Sequence, residues 1–247
     1  MVVNQGVARL TLNRPRKHNR FEPADIASTC KALQSLSPRS DVRVFLVTAC
    51  GPSFSSGFDL ETLSGPRANE CTRQFAEMCD LIEALPMPTL CGLNGDVYGG
   101  ATDLALACDI RIGAIGCKLQ MSPARLGVQY YYSGLRRYVE RLGVTEAKRL
   151  FMTSEQVDTA KLLQNGFLSE ACPADRLEAR LAEITRGLSQ RSPASVRGLK
   201  RSLDAIARGT ADAGAIDEAF FQSLTSQDAQ EGLAAWSQKR PAAFADA

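Results

Sequence analysis

The sequence predicts an α/β domain followed by an α-helical C-terminal part. Strand-like and helix-like patterns alternate up to about residue 121, and from about residue 133 onward nearly every segment has helical periodicity. The composition agrees, because 45% hydrophobic and 23% charged residues over 247 positions are ordinary for a globular chain that buries a sizeable core. Periodicity alone therefore favours a parallel sheet with crossover helices.

The first half of the chain is built from strands separated by amphipathic helices. The strand over 42–49 is β-branched and mostly apolar, which is typical of a strand covered on both faces. The helix over 67–85 has a single apolar stripe and ends at Pro86 and Pro88. The predicted strands are 7–13, 42–49, 89–95, 109–114 and 117–121, and the predicted helices are 22–37, 67–85 and 100–107.

Charge excludes a general nucleic-acid-binding surface. The 29 Lys and Arg residues nearly balance the 27 Asp and Glu residues, and the net charge is +2. Basic residues are scattered except for a cluster at Arg14, Arg16, Lys17 and Arg20. We therefore expect no nucleic-acid partner.

Cysteine usage and the N-terminal sequence predict a cytoplasmic protein. The eight cysteines form no C-x-x-C pair and several lie in apolar runs, which indicates a reducing compartment. No leader-like N-terminus or run of 18 apolar residues is present, so we expect neither secretion nor membrane association. His18 is the single histidine, which excludes most zinc sites and makes a Ser-His-Asp triad depend on one residue.

Two adjacent glycines, Gly99 and Gly100, directly precede an alanine-rich run that should begin a helix. Each glycine costs about 0.5–1 kcal/mol in backbone entropy, so their position needs a reason. A helix N-terminus exposes unpaired N–H groups with partial positive charge, and glycine lets a ligand approach them. Close packing of strand and helix is the alternative explanation. Neither phosphate-binding motif, G-x-G-x-x-G or G-x-x-x-x-G-K-[ST], occurs.

A second loop, "FSSGFDL" over 54–60, follows the strand 42–49 as the glycines follow the strand at 89. If the two strands are neighbours, backbone N–H groups from two loops converge on one point and form an oxyanion hole. No G-x-S-x-G motif is present, so Ser55 and Ser56 are predicted to serve the turn rather than to act as nucleophiles.

Six segments in this order resemble the enoyl-CoA hydratase/isomerase (crotonase) family over nearly the whole chain. Several are weak singly, but their order is highly specific. They are "VARLTLNRPRKHN" (7–19), "FSSGFDL" (54–60), "NGDVYGGATDLALACDIRI" (94–112), "LGVQYYYSGLRRYVERLG" (126–143), "SPASVRGLKRSL" (192–203) and "SQDAQEGLAAWSQKRPAAF" (226–244).

The resemblance implies a crotonase (ClpP-like) spiral of ββα units that forms two nearly perpendicular sheets. It implies a core over 1–190 and a helical region over 191–247 used for trimer contacts, so that the chain is expected as a homotrimer or a dimer of trimers. Trp236 and Phe244 are expected to pack between subunits. No metal or redox cofactor is implied, and coenzyme A enters as part of the substrate.

The resemblance also implies an acyl-CoA thioester whose carbonyl oxygen lies between the N–H groups of Phe58 and Gly100. Ser56, Gly57, Gly99 and Pro123 occupy the matching substrate-binding segments. Arg14, Arg16 and Lys17 occupy the segment that meets the CoA phosphates and adenine in the family, and a solvated basic loop is the alternative.

Family hydratases add water with two glutamates, one as base and one as acid. The first falls at Asp103, one methylene shorter than glutamate, which could instead stabilise its own helix end. The second falls at Pro123, which carries no proton, and family isomerases place their base at the same position. The usual two-carboxylate arrangement is therefore incomplete.

The stretch "MSPARLGVQYYYSG" (121–134) looks like the corresponding segment of methylmalonyl-CoA decarboxylases, in which a tyrosine orients the substrate carboxylate. That tyrosine falls at Tyr130, and of Tyr130, Tyr131 and Tyr132 we expect at most one or two to face a pocket. A decarboxylase-type lyase is the first hypothesis. An enoyl-CoA hydratase that uses Asp103 and an acyl-CoA-binding protein without turnover are the alternatives.

Overall fold

The computed structural model describes residues 1–244, whose strands form two sheets. The strands are β1 (Val2–Asn4), β2 (Val7–Leu12), β3 (Val44–Ala49), β4 (Ser53–Ser55), β5 (Thr89–Leu93), β6 (Asp96–Tyr98), β7 (Ile110–Ala114), β8 (Leu119–Gln120), β9 (Gln156–Val157) and β10 (Glu170–Cys172). One sheet has six strands in the order β1-β2-β3-β5-β7-β10, and the other has four in the order β4-β6-β8-β9.

Helices follow and cover these sheets. They are α1 (Pro23–Leu36), α2 (Leu60–Leu63), α3 (Ala68–Glu83), α4 (Gly100–Ala107), α5 (Tyr132–Leu142), α6 (Val144–Thr153), α7 (Thr159–Gln164), α8 (Leu177–Ser189), α9 (Pro193–Ala207), α10 (Ala213–Ser223) and α11 (Gln227–Ser237). Across the described chain, none of them combines the length and the apolar character needed to traverse a bilayer.

Three consecutive strand pairs are divided between the two sheets. β3, β5 and β7 lie side by side in the larger sheet, and β4, β6 and β8, which follow them along the chain, lie side by side in the smaller sheet. Neighbouring strands within each set are parallel, and helices follow each pair. This repeated strand-strand-helix unit is the ββα spiral that the resemblance implies, so the predicted fold class is confirmed.

The central strand β3 is covered on both faces, as its sequence predicts. Phe45 and Val47 pack into the larger buried cluster. Val44 and Leu46 point the other way and join the smaller cluster, which includes Leu181 of α8. Alternate side chains of a strand point to opposite faces of the sheet, and here both faces are core.

The prediction that nearly every segment beyond about residue 133 is helical is wrong at two places. β9 pairs antiparallel with β8, and β10 pairs parallel with β7, so the predicted helical half completes both sheets. These strands have two and three residues, which is too short for a period-two pattern to be read from sequence. β1, β4 and β6, with three residues each, are missed for the same reason, and the four residues of α2 are too few to show helical periodicity.

Beyond residue 190 the described chain is helical and leaves apolar side chains exposed. α9, α10 and α11 carry exposed Leu199, Leu203, Ile206, Phe220, Phe221, Leu224, Leu233 and Trp236. Large apolar patches of this kind mark interaction surfaces, and the subunit contacts expected of Trp236 and Phe244 stay a prediction. Residues 245–247 of the expected C-terminal region lie outside the described residues.

Gly95, between β5 and β6, lies against the backbone that enters β4. A Cβ added there would lie 2.3 Å from the Pro52 carbonyl oxygen. Because backbone cannot yield as a side-chain end can, Gly95→Ala should lower the free energy of unfolding by about 1–3 kcal/mol. Gly187 in α8 has no atom within 4 Å of such a Cβ, so Gly187→Ala should raise it by about 0.5–1 kcal/mol. Urea denaturation of both variants measures the difference, and equal effects would contradict the packing described.

Candidate active site

The two glycine-containing loops meet because they leave neighbouring parallel strands. β4 pairs with β6 through Ser55 and Val97, so both loops emerge at the same edge of the smaller sheet. Gly57 follows β4, and Gly99 follows β6. β3 and β5, the strands on which the sequence argument rested, are also neighbours. The condition for convergence of the loops is therefore met.

Gly57 is the point of closest approach between the loops. Its φ of +86° lies in the left-handed region, and an added Cβ would lie 2.5 Å from the Tyr98 carbonyl oxygen and 3.0 Å from the Gly100 nitrogen. Gly99 also has a positive φ, +51°, and its N–H donates to the Gln120 carbonyl oxygen at 2.9 Å. Glycine is thus required at Gly57 both by conformation and by space.

The amides of Phe58 and Gly100 donate to no protein acceptor within residues 1–244. The flanking Gly57 and Asp59 amides are occupied by Ser55 Oγ at 3.0 Å and the Phe21 carbonyl oxygen at 3.1 Å. Gly100 begins α4, so its N–H has no partner within the helix. Most buried backbone N–H groups in proteins are paired, and two unpaired ones in adjoining loops are available to an external acceptor.

Both loops open into a cavity of about 520 Å³, within the usual size of small-molecule sites. Helix α3 and the segment 121–131 complete its wall. The lining residues are Ser56, Phe58, Leu60, Leu63, Ala68, Asn69, Thr72, Arg73, Phe75, Gly99, Gly100, Met121, Pro123, Leu126, Val128, Gln129, Tyr130 and Tyr131. Among these lining residues none is acidic, and Arg73 is the single charged one.

Asp103 lies behind this wall, where Arg137 holds it in a fork. The carboxylate is 0% exposed, and its two oxygens accept hydrogen bonds from Arg137 Nε and Nη2, each at 2.8 Å. Arg137 is also 0% exposed, and its Nη1 donates to Asp80 at 2.6 Å and to Glu83 at 3.2 Å. Burial opposes the charge of Arg137, but the bonds and charge of Asp103 outweigh it and raise the pKa of Arg137.

Two of the three consecutive tyrosines face the cavity. Tyr131 donates its hydroxyl hydrogen to Asp103, and Tyr130 donates to the Tyr131 hydroxyl oxygen at 3.2 Å. Their rings stack with centroids 4.3 Å apart. Tyr132 is 81% exposed. The expectation that one or two of them face a pocket agrees with this arrangement.

Both cavity tyrosines stay protonated over the usual pH range. Burial raises the pKa of Tyr130 and of Tyr131 well above the ordinary value near 10, and the negative charge of Asp103 raises both further. Each hydroxyl therefore keeps its hydrogen, which Tyr131 gives to Asp103 and Tyr130 gives to Tyr131, and neither is suited to act as a base.

The remaining predicted site residues lie at two places. Pro123 is buried in the cavity wall, where it presents no ionisable group. The basic segment runs beside the Phe58 loop, since the Ser56 N–H donates to the His18 carbonyl oxygen at 2.8 Å. Arg14, Arg16 and Lys17 do not line the cavity.

Within the basic segment, two of the three side chains already have acidic partners. Arg14 pairs with Asp25, and Lys17 with Glu22 at 3.1 Å. Arg16 is exposed. In the part of the chain that the structure describes, no group of three or more His, Cys, Asp or Glu residues could hold a metal ion.

The sequence argument missed three residues of this region: Tyr131, Arg137 and Arg73. Tyr131 was named only as one of three consecutive tyrosines. Arg137 carried no signal of its own, because the buried side of α5 comprises Gly134, Arg137 and Tyr138 and has no apolar stripe that would mark it in the sequence. Arg73 lies on the exposed edge of α3 and has no distinguishing sequence pattern.

Comparisons with known proteins agree along the full chain. The enoyl-CoA hydratase/isomerase family profile matches residues 2–247. The chain is 28% identical over 246 residues to "Probable enoyl-CoA hydratase echA8" of Mycobacterium tuberculosis, covering 98% of this chain and 95% of that protein. It is 29% identical over 257 residues to "Enoyl-CoA isomerase/hydratase fer4" of Mycosarcoma maydis, covering 97% and 92%. A crystal structure of an enoyl-CoA hydratase from Bacillus anthracis superposes with a TM-score of 0.91 at 25% identity, covering 99% and 97%.

Because Asp103 pairs with the buried Arg137, we expect its substitution to lower the stability of the fold. Asp103→Asn keeps the volume of the side chain but leaves Arg137 buried beside a neutral amide, which should lower the free energy of unfolding by about 3–5 kcal/mol. Asp80→Asn, at a side chain 48% exposed that also contacts Arg137, should cost much less because water screens it. Urea denaturation compares the two. If both variants lose the same small amount of unfolding free energy, Asp103 is not the acid that stabilises the buried Arg137.

Proposed function

The chain belongs to the enoyl-CoA hydratase/isomerase family, and from that premise we propose that it binds an acyl-CoA thioester and removes CO₂ from a malonyl-type acyl group. The observation that carries this proposal is the composition of the cavity. Two unoccupied backbone amides, those of Phe58 and Gly100, meet at a wall without an acidic side chain.

The two amides would stabilise the enolate that decarboxylation forms. As the bond from the α-carbon to the carboxylate breaks, its electron pair passes into the thioester, negative charge builds on the carbonyl oxygen, and CO₂ leaves. Each preorganised donor to such an oxygen contributes about 2.7–4 kcal/mol to the transition state. A proton from solvent then returns to the α-carbon. The electron pair stays in the substrate throughout, so the step requires no metal or redox cofactor.

Hydration is less well supported by the side chains. It needs a base for water and an acid for the α-carbon. Asp103 is the acid in the position expected for one of them, and both of its oxygens are held by Arg137. Pro123 supplies nothing at the other position. Relatives of this chain are nevertheless named as enoyl-CoA hydratases, and an enoyl-CoA hydratase is therefore the second candidate.

The cavity wall suits a substrate whose carboxylate must be positioned and poorly hydrated. Phe58, Met121 and Pro123 provide apolar surface, which weakens hydration of the departing carboxylate. The single hydroxyl hydrogen of Tyr130 is given to Tyr131, so we propose that Tyr130 orients the carboxylate through the position of its ring and oxygen rather than by donating a hydrogen bond to it. We also propose that Arg14, Arg16 and Lys17, beside the Phe58 loop, meet the phosphates of CoA.

Methylmalonyl-CoA and crotonyl-CoA assayed side by side test the proposal. Methylmalonyl-CoA should be converted to propionyl-CoA and CO₂, and crotonyl-CoA should be hydrated poorly. Mass spectrometry of the CoA esters measures both reactions. Gly57→Ala would push a Cβ between the two loops and should lower kcat by about 10²-fold or more. Gly187→Ala serves as the matched control and should leave kcat unchanged.

Two results would overturn the decarboxylase proposal. Robust hydration of crotonyl-CoA, with no CO₂ released from methylmalonyl-CoA, would establish the hydratase. Binding of CoA esters without product from any thioester would establish an acyl-CoA-binding protein without turnover.

Arg73 gives the cavity a positive charge, and we propose that it attracts the acyl carboxylate. Arg73→Met should raise KM for methylmalonyl-CoA by about three- to tenfold, the modest value expected for a charge pair open to water. KM for crotonyl-CoA should not change. Arg67→Met, at an exposed residue that directly precedes α3 and does not line the cavity, is the control. An equal rise for both thioesters would show that Arg73 meets the CoA phosphates instead.

A further inference from the structure

Asp103 and Arg137 are connected to the cavity through two tyrosines. The connection runs from Arg137 to Asp103, from Asp103 to the Tyr131 hydroxyl, and from there to the Tyr130 hydroxyl at the cavity wall. Its inner end is fully buried, whereas Tyr130 and Tyr131 line the cavity. Tyr131 has one hydroxyl hydrogen and gives it to Asp103, so its oxygen is free to accept from Tyr130.

Helix α5 holds both ends of this connection on one face. Gly134 lies beneath the tyrosine rings, since an added Cβ would lie 2.4 Å from Tyr130 Cε1 and 2.9 Å from Tyr131 Cε2. Arg137 follows three residues later, on the same side of the helix. The missing side chain at Gly134 lets both rings pack onto the helix, and the next turn places Arg137 against Asp103.

The fork between Arg137 and Asp103 defines one orientation of the carboxylate. A bidentate guanidinium–carboxylate pair fixes the carboxylate plane as well as its distance. Asp103 Oδ2 accepts from both Arg137 Nη2 and Tyr131, so the position of the Tyr131 hydroxyl follows from that plane. Hydrogen bonds in such a chain polarise one another, which strengthens the acceptor that Tyr131 offers to Tyr130.

We propose that Asp103 and Arg137 are positioning residues that act through Tyr131 to hold the Tyr130 ring and hydroxyl against the acyl group. This inference rests on the proposed function for its effect on turnover. It assigns Asp103 a role other than general base and gives Arg137 a role in the reaction without contact to substrate. Tyr130 is then the member of this connection that touches the substrate.

Tyr131→Phe is the central test, because it removes one hydroxyl and leaves the buried charges paired. With whichever of methylmalonyl-CoA and crotonyl-CoA the wild type converts faster, kcat should fall about tenfold and KM should stay within about twofold, since small misplacement of a reacting geometry lowers rate more than affinity. Tyr132→Phe, at the neighbouring exposed tyrosine, should change neither constant. An unchanged kcat in Tyr131→Phe would overturn the proposal.

A double-mutant cycle separates positioning from general destabilisation. Asp103→Asn should also lower kcat, and in the Tyr131→Phe background it should lower kcat no further, because the connection is already broken. All assays are run at a temperature at which each variant is folded by circular dichroism. Losses that multiply independently would overturn the proposal.

A readout without turnover distinguishes failure of this inference from failure of the proposed function. The near-ultraviolet circular dichroism of the stacked tyrosines should weaken in Asp103→Asn and persist in Asp80→Asn. If the wild type converts neither thioester and the signal still weakens, the proposed function fails and the positioning of the tyrosines stands. An unaltered signal in Asp103→Asn overturns the inference.

Discussion

The close approach of Gly57 to the backbone of Tyr98 and Gly100 is the constraint on which the site depends. Parallel pairing of β4 with β6 brings the two loops to one edge of the sheet, and the absence of a side chain at Gly57 lets them touch. Positive φ at Gly57 and Gly99 then turns each backbone so that one amide on either side of the contact is left without an acceptor. Two adjacent glycines at the start of α4 cost backbone entropy. The turn that they permit leaves the Gly100 N–H without an acceptor, which a fully paired turn would not do. The cavity beside them gives a substrate access to both donors.

The resemblance to the family implies a general base at Asp103, whereas the structure shows Asp103 in a buried pair with Arg137. An acid in the first turn of the helix after the glycines resembles a general base by position. The structure shows a carboxylate with both oxygens occupied and an arginine that shares its other nitrogen with Asp80 and Glu83. A base must have a free oxygen directed at the proton that it removes. Asp103 instead directs its remaining hydrogen-bonding capacity to Tyr131, a residue of the cavity wall.

The parts of the fold that the sequence predicts well are those with long periodic patterns. β3 is apolar on both faces and α3 has one apolar stripe, so both are recognisable from the chain alone. β10 has three partly exposed residues and gains its identity only by pairing with β7, which no local pattern reveals. The same distinction holds at the site. The glycines indicate where the two loops approach each other closely, and the segments at Phe58, Gly100 and Tyr130 are local motifs. The pairing of Asp103 with Arg137 joins residues 34 positions apart, and the sequence offers no means of choosing Arg137 over the adjacent Arg136.

Electrostatics gives a reason for burying an arginine behind the proposed oxyanion hole. Asp103 lies three residues after Gly100 in α4, so an unpaired negative charge there would oppose the charge that builds on a thioester oxygen at the helix N-terminus. At the effective dielectric of a protein, two unit charges of like sign about 4 Å apart repel by about 4 kcal/mol, comparable to what an amide donor contributes. Arg137 compensates that charge at hydrogen-bond distance, and the neutral tyrosines separate the pair from the cavity. The partial positive charge at the N-terminus of α4 is therefore not cancelled by Asp103, which instead positions Tyr131 in the cavity wall. An acid at this position is thus compatible with the proposed build-up of negative charge on the thioester oxygen.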